Sequence, residues 1–227
     1  MALLALVLLA ICLAEYLRHV DRLWIVVLEV VAMVAIVILA AYGLGYGPGA
    51  GWLPAVVGLW WASARTVPSW RVPGMVVSGV GGVLALVASP LIDRDRPPLL
   101  DWYEDLDVPA LAGVSLDELA LAVITAVALV GPANAVVREV LDHVGRGLLA
   151  EERKLKGGRV IGPLERVLVF GFAVGGNYGG VAAILAAKGI LRFPEISKDE
   201  GDGSRAEYVL VGSFVSWFLA LALVPLF

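Results

Sequence analysis

The stretch LWIVVLEVVAMVAIVILAAY, residues 23–42, decides the class of this fold. Its one charged side chain is Glu29. A helix of about 20 mainly apolar residues is long enough to cross the hydrocarbon core of a bilayer. In lipid the backbone must satisfy its own hydrogen bonds, and a helix does this within itself. The stretch therefore predicts a transmembrane helix.

The rest of the chain has the same character. Of its 227 residues, 60% are hydrophobic and 17% are charged, whereas soluble proteins average about 45–50% and about 25%. A chain of this length cannot hide so much apolar surface in a soluble core. Composition thus excludes a soluble enzyme, a disordered protein and a disulfide scaffold. The net charge of −4 gives no support for nucleic-acid binding, and the single Cys12 provides no disulfide and no cysteine-based metal site.

Further apolar runs predict an all-α, polytopic membrane protein with six or seven spans. The sequence gives no reason to expect a bound metal or cofactor. The runs are 2–17, 52–64, 74–92, 116–130, 164–191 and 208–227. We expect three parts: an N-terminal bundle of about five spans over 1–130, an amphipathic helix with a basic linker over 131–160, and a C-terminal membrane segment over 161–227.

The boundary between the first two parts is marked by Gly131–Pro132. Proline removes an amide donor and clashes with the preceding turn, so it ends or kinks the fifth run. That run begins with Ser115 and Glu118, which have the spacing of a capping box. Residues 133–149 follow with apolar side chains at helical period, and we expect this amphipathic helix at the membrane interface.

Arginine and lysine counts predict the orientation, because cytoplasmic loops are enriched in these residues. The connectors after the first, third and fifth runs are basic, whereas the loop at 43–51 is uncharged and the loop at 93–107 is acidic. This pattern places the N-terminus outside and residues 138–166 in the cytoplasm.

The run at 164–191 has two interpretations. As one helix, it carries a stripe of small residues suited to close helix packing: Gly171, Gly175, Gly179, Ala183 and Ala187. As a re-entrant hairpin, it breaks at GGNYGG, residues 175–180, into arms of about 11 residues, or roughly 17 Å each. The hairpin moves the basic residues that follow into the cytoplasm, so charge favours it, while the stripe favours one helix.

Three polar residues interrupt apolar runs and are candidates for an intramembrane site. Glu29 lies about 9 Å inside its run, where a carboxylate costs about 2.5–3.5 kcal/mol unless it is paired, protonated or hydrated. Lys188 could contact an anion or pair with Glu29, and Asn177 lies within the glycine-rich break. A second set, Glu165, Arg166, Arg192 and Glu207, flanks apolar runs and forms a candidate charged cluster at the interface.

Residues 130–227 resemble the C-terminal part of an uncharacterised bacterial integral-membrane family. The resemblance rests on LER, AAK–RF and EY-x-L-x-G patterns, at Gly162, Glu165, Arg166, Gly176, Asn177, Tyr178, Lys188, Arg192, Phe193, Glu207, Tyr208 and Gly212. Three positions depart from the pattern: Asn177 replaces a glutamine, Gly189 a serine and Gly179 an acidic residue. The resemblance implies a bacterial origin and a membrane location, and no activity.

Two functions remain open from the sequence. One is a small transport or channel-like component with Glu29, Asn177 and Lys188 inside the bundle. The other is a non-catalytic scaffold or partner subunit that packs through the small-residue stripe against a second copy or another membrane protein. Motifs of metalloproteases, serine hydrolases and nucleotide-binding enzymes are missing, which favours a protein that is not an enzyme.

Overall fold

The structure is a computed structural model that describes residues 1–18, 22–47, 49–106, 108–144, 158–197 and 204–227. Within these ranges the chain forms helices and no strand, so the all-α class is confirmed. The α-helices are α1 (Ala2–Leu17), α2 (Arg22–Ile38), α3 (Trp52–Thr66), α4 (Arg71–Ala88), α5 (Pro98–Glu104), α6 (Leu116–Val130), α7 (Pro132–Val144), α8 (Gly158–Val174), α9 (Tyr178–Ser197) and α10 (Ser204–Leu221). Residues 151–157 of the predicted basic linker (151–159) lie outside the described residues, and Gly158 and Arg159 begin α8.

Within the residues that the structure describes, three helical segments are long and apolar enough to cross a membrane. They are Trp24–Gly43, Arg71–Leu91 and Val209–Leu226, and α6 with α7 adds a fourth if this pair, bent at Gly131, is one span. These segments support the assignment of the chain as a membrane protein. The six or seven spans expected from the sequence stay a prediction. The chain divides into two compact units, 1–128 and 129–227.

The first unit is built around α1, because α1 is apolar on every side. Most of its residues are buried, from Ala2 to Glu15, as expected for a helix without a polar face. Gly58 lets α3 approach closely, since a methyl group there would lie 2.9 Å from the Cβ of Ala10. Apolar side chains of α2 and α4 instead face outward, among them Val30 and Val80, and a soluble protein rarely exposes such continuous apolar surface.

Small residues let α4 pack against α3. A methyl group at Gly74 would collide with Ala64, and one at Gly81 would lie 2.5 Å from Val57. Ser78, between these two glycines along the helix, is buried. Close backbone approach through small residues is typical of membrane helices, where dispersion contacts replace the hydrophobic effect as the driving force.

The loops at one end of the first unit are fixed by polar contacts. Gly45 has a φ of 71°, and its carbonyl accepts a hydrogen bond from the amide of Asp95. Arg94 donates to both carboxylate oxygens of Asp117, at 2.9 and 3.0 Å. Burial alone would lower the pKa of Arg94, but its hydrogen bond and charge interaction with Asp117 raise it.

The capping box is confirmed, because the amide of Glu118 donates to the Ser115 hydroxyl and the Ser115 amide donates to the Glu118 carboxylate.

The second unit contains a helical hairpin at the glycine-rich break. Helix α8 ends at Val174, a turn follows, and α9 begins at Tyr178. Glu165 lies beside Lys188, and Ala173 packs with Val181, so the two helices run antiparallel. The alternative of one continuous helix is therefore wrong. The arms have 17 and 20 residues, about 26 and 30 Å, and are thus longer than the half-bilayer arms expected.

Helices α7 and α10 complete the second unit. Helix α8 runs parallel to α10, because Glu165 bonds to Trp217 and Val169 packs with Ala220. Leu141 of α7 is buried against the backbone of α10 at Gly212. The described part of the amphipathic helix predicted at 133–149 is α7, and it packs on a neighbouring helix. Its location at the membrane interface stays a prediction.

Candidate functional site

A buried ion pair joins the two arms of the hairpin. The Lys188 ammonium lies 2.8 Å from one oxygen of the Glu165 carboxylate, and the indole N–H of Trp217 donates to the other oxygen at 2.9 Å. The ammonium also lies 5.5 Å from the centre of the Trp217 ring, within range of a cation–π contact. Glu165 is 8% exposed. The three residues come from α8, α9 and α10, so the pair holds three helices together.

Arg166 lies next to this pair and bridges three other groups. Its guanidinium donates to the carbonyl of Leu129 at 2.8 Å, to the hydroxyl of Ser216 at 3.2 Å and to the amide oxygen of Asn134 at 3.3 Å. Leu129 is in the last turn of α6, where the helix dipole favours a cation. Arg166 is only 2% exposed. We define the charged cluster as Glu165, Arg166 and Lys188, which together carry one net positive charge.

The charged cluster lies halfway along the apolar segment Val209–Leu226. Trp217, which bonds to Glu165, is the ninth of the 18 residues of that segment. Further along α8, Phe170 packs with Phe227 and Ala173 with Val224. The hairpin turn at 175–177 is therefore close to the level of the far end of the segment, and the ionisable groups are close to its middle.

The predicted interface cluster of Glu165, Arg166, Arg192 and Glu207 is thus corrected in part. Glu165 and Arg166 are not flanking charges, since both are buried between helices and are satisfied there by hydrogen bonds and an ion pair. Arg192 is half-buried, and Glu207 is exposed near the start of α10. Lys188, for which Glu29 was one of the candidate partners, pairs with Glu165.

Asn177 caps a helix at the hairpin turn. Its amide oxygen accepts a hydrogen bond of 2.9 Å from the backbone N–H of Gly180, as an N-cap side chain does. Gly176, which precedes it, has a φ of 69°, a conformation that favours glycine. Asn177 is exposed at the turn and is separated along α9 from Lys188 by 11 residues, about 17 Å. Asn177 and Lys188 therefore do not form one site.

The small-residue stripe faces outward from the second unit. Gly175 lies in the turn, so the stripe is not continuous along one helix, and all five members are exposed: Gly171, Gly175, Gly179, Ala183 and Ala187. An added methyl group at Gly171 would meet no atom within 4 Å. The stripe therefore packs against no described part of its own unit.

Glu29, in the first unit, is half-buried on α2 between the exposed Leu28 and Val30. No described residue forms an ion pair or side-chain hydrogen bond with it. The carboxylate thus belongs to the outward side of α2 and not to the interior of the bundle.

Sequence reasoning missed a second buried carboxylate, Glu15 of α1. The Glu15 side chain accepts a hydrogen bond of 3.0 Å from the indole of Trp61 and forms ion pairs with Arg18 at 3.0 Å and Arg65 at 3.5 Å. Glu15 is the single carboxylate in the apolar run 2–17, and this position is the sequence signal by which it can be found. Each unit thus contains a buried glutamate bonded to a tryptophan indole and paired with basic side chains.

The arrangement of the charged cluster allows ionic and proton chemistry in an apolar setting. Within the described ranges, no group of three or more histidine, cysteine, aspartate or glutamate side chains is suited to hold a metal ion. Glu165 and Lys188 are in direct contact, so the two opposite charges are held within the same apolar surroundings. No protein-family model, curated protein or solved structure matches this chain.

Proposed function

We propose that the protein is a multi-pass transport component of a bacterial cytoplasmic membrane, and that the charged cluster is its operating site. The observation that carries this proposal is the burial of Glu165, Arg166 and Lys188 halfway along an apolar segment. Each ionisable group at such depth costs about 2.5–3.5 kcal/mol by insertion scales, and groups of this kind commonly mark substrate, ion or proton pathways. The resemblance of residues 130–227 to a bacterial membrane family supports the location.

In the proposed topology the N-terminus is outside, and the starts of α8 and α10 face the cytoplasm. The hairpin crosses the membrane twice and does not re-enter from one side, because its turn is near the level of the far end of Val209–Leu226. Helices α1–α4 give four crossings, α6 with α7 gives one and α8–α10 give three, which makes eight. Eight crossings exceed the six or seven spans expected from the sequence. The difference arises because each hairpin arm is about as long as the bilayer core is thick, so each arm counts as a full crossing.

Ion flux through reconstituted vesicles tests the transport proposal. The full-length protein is placed in vesicles that contain a pH-sensitive dye or a chloride-sensitive dye, and a potassium gradient with valinomycin sets the membrane potential. We expect faster movement of protons or chloride than in protein-free vesicles. The flux should fall at least tenfold in Glu165→Gln and in Lys188→Met, which each leave one member of the pair without its counter-charge.

The matched control is Arg96→Gln, at an exposed ion pair with Glu104 in the first unit. This substitution removes one charge without touching the charged cluster, and its flux should equal that of the wild type. Flux equal to that of protein-free vesicles for both ions would contradict the proposal. So would Glu165→Gln and Lys188→Met variants that fold and conduct as the wild type does.

A second candidate function is a partner subunit, and the exposed glycines of the hairpin favour it. Glycine inside a helix costs roughly 1 kcal/mol relative to alanine, and neither Gly171 nor Gly189 has a positive φ or a neighbour within 4 Å of an added methyl group. Close approach of another transmembrane helix would give these glycines a role. The scaffold alternative therefore predicts that another transmembrane helix docks against the exposed glycines of the hairpin.

Oligomeric state in detergent tests this second candidate. If copies associate through the hairpin face, Gly171→Leu should convert the oligomer to a monomer. The control Gly79→Leu changes another helical glycine with no neighbour within 4 Å, and it should leave the oligomer intact. A wild-type monomer, or equal effects of both substitutions, would count against self-association through the hairpin.

A further inference from the structure

Arg166 is a buried cation without a counter-ion in direct contact. The acceptors of its three hydrogen bonds are the Leu129 carbonyl, the Ser216 hydroxyl and the Asn134 amide oxygen, and all three are neutral. Among the residues that the structure describes, no carboxylate forms an ion pair with Arg166. Buried charges are normally paired, because a charge removed from water loses its hydration. The neutral partners of Arg166 therefore leave its charge uncompensated.

Glu165, the neighbour of Arg166 in sequence, does not supply the missing charge. Its carboxylate contacts the Lys188 ammonium at 2.8 Å and accepts the indole hydrogen bond of Trp217 at 2.9 Å. Adjacent residues of a helix point in different directions, so the side chains of Glu165 and Arg166 do not face each other. The charges of Glu165 and Lys188 cancel, and the net positive charge of the charged cluster therefore resides on Arg166.

Gly162 leaves space beside the Arg166 guanidinium. It lies one turn before Arg166 on α8 and is half-buried. A methyl group added at Gly162 would lie 3.9 Å from Nη1 of Arg166, and outside its own turn of the helix it would meet no other described atom within 4 Å. Nη1 carries two N–H groups, and one of them donates to Ser216. We call the space beside Nη1 the Gly162 opening.

We propose that Arg166 binds a small monovalent anion, with chloride as the simplest example, at the Gly162 opening. One net positive charge matches an anion with one negative charge, and a position of methyl size suits a monatomic ion. A proton is disfavoured as the substrate, because a site of net positive charge repels another positive charge. The inference deepens the proposed transport function by naming its substrate class. It rests on that function only for the movement of the anion across the membrane.

Thermal unfolding in detergent micelles measures anion binding without transport. The full-length protein is unfolded at increasing concentrations of sodium chloride, with sodium gluconate added to hold the ionic strength constant. A ligand that binds only the folded state raises the midpoint of unfolding as its concentration increases. We expect the wild-type midpoint to rise with chloride and to reach a plateau, because gluconate is too large for the Gly162 opening.

Two charge variants should shift this chloride dependence in opposite directions. Glu165→Gln adds one unit to the net positive charge of the charged cluster, whereas Lys188→Met removes that net charge. We expect the half-maximal chloride concentration to fall about tenfold in Glu165→Gln and to rise about tenfold in Lys188→Met, since nearby charges interact strongly in apolar surroundings. Both substitutions destabilise the chloride-free protein, so opposite shifts separate anion binding from damage to the fold.

Gly162→Ala tests the position of the site and keeps every charge. Its methyl group fills the opening at an ordinary contact distance, and it should raise the half-maximal chloride concentration about threefold or more. The control Gly79→Ala, at a helical glycine with no neighbour within 4 Å, should leave that concentration unchanged.

Equal stabilisation of the wild type by chloride and gluconate would overturn the proposal. So would shifts of Glu165→Gln and Lys188→Met in the same direction, or a chloride dependence of Gly162→Ala equal to that of the wild type. Chloride binding without ion flux would contradict the transport function alone, and proton flux without a chloride effect would contradict the anion site alone.

Discussion

Removal of Lys188 should strongly destabilise the second unit, because it leaves a buried carboxylate without its counter-ion. The Glu165 side chain is 8% exposed and the Lys188 side chain 18%, and their charged atoms are 2.8 Å apart. In Lys188→Met, Glu165 would keep only the indole N–H of Trp217. Breaking a buried pair in this way costs about 3–5 kcal/mol, whereas replacing both charges with neutral groups of similar size is often close to neutral.

A double-mutant cycle measures this effect. Unfolding of the wild type, Glu165→Gln, Lys188→Met and the double variant is followed by circular dichroism as dodecyl sulfate is titrated into detergent micelles. We expect each single variant to be less stable than the double variant, and a coupling energy of about 3 kcal/mol between the two sites, near the upper end for residues in contact.

The control cycle uses Arg96 and Glu104, whose side chains are 2.8 Å apart but largely exposed. Water screens such a pair, so its coupling should be too small to measure. A cost of less than about 1 kcal/mol for Lys188→Met, the range of exposed pairs, would contradict the burial of the ion pair, because Glu165 would then be hydrated.

Three further substitutions test the packing and the caps by thermal unfolding in detergent. Gly74→Ala should destabilise the first unit by about 1–3 kcal/mol because its methyl group collides with α3, whereas Gly79→Ala, in open space, should be neutral or stabilising; equal effects would contradict this packing. Trp61→Phe should cost about 1.5–3 kcal/mol, since it removes a hydrogen bond to the charged Glu15, and an unchanged midpoint would refute that bond. Asn177→Ala should cost about 1 kcal/mol through loss of the N-cap, and Asn177→Asp should retain the wild-type midpoint.

The hairpin shows what local sequence can predict. Glycines and Asn177 at 175–180 indicate a helix break, because they adopt turn conformations and cap helices readily, and the structure breaks there. The length of the arms was not predictable by hydropathy, because α8 includes the polar segment that contains Glu165 and Arg166. A hydropathy profile ends the apolar segment at Glu165 and Arg166, because it does not include the ion pair and hydrogen bonds that these residues form with other helices.

The composition of the charged cluster depends on contacts between distant residues. The sequence offers Glu29 as a candidate partner of Lys188, and three-dimensional packing instead brings Lys188 to Glu165. The partners of Glu165 and Arg166 include Trp217 and Ser216, about 50 positions further along the chain. Helical spacing rules relate residues three or four apart and carry no information about such pairs. Glu15 shows the opposite case, since its sequence signal is local and its role follows from one charge in an apolar run.

The sidedness of the two ends of α9 shows whether the charged cluster lies inside the membrane. In a Cys12→Ala background, Tyr178→Cys places a thiol at the turn and Ser197→Cys places one at the end of α9, and both variants are treated with a membrane-impermeant thiol reagent. We expect the Tyr178→Cys variant to be labelled in intact cells and the Ser197→Cys variant to be labelled only after the cells are opened. A Tyr178→Cys variant that resists labelling in both intact and opened cells would place the turn within the bilayer and the charged cluster at the surface, and would contradict the proposed depth of the cluster.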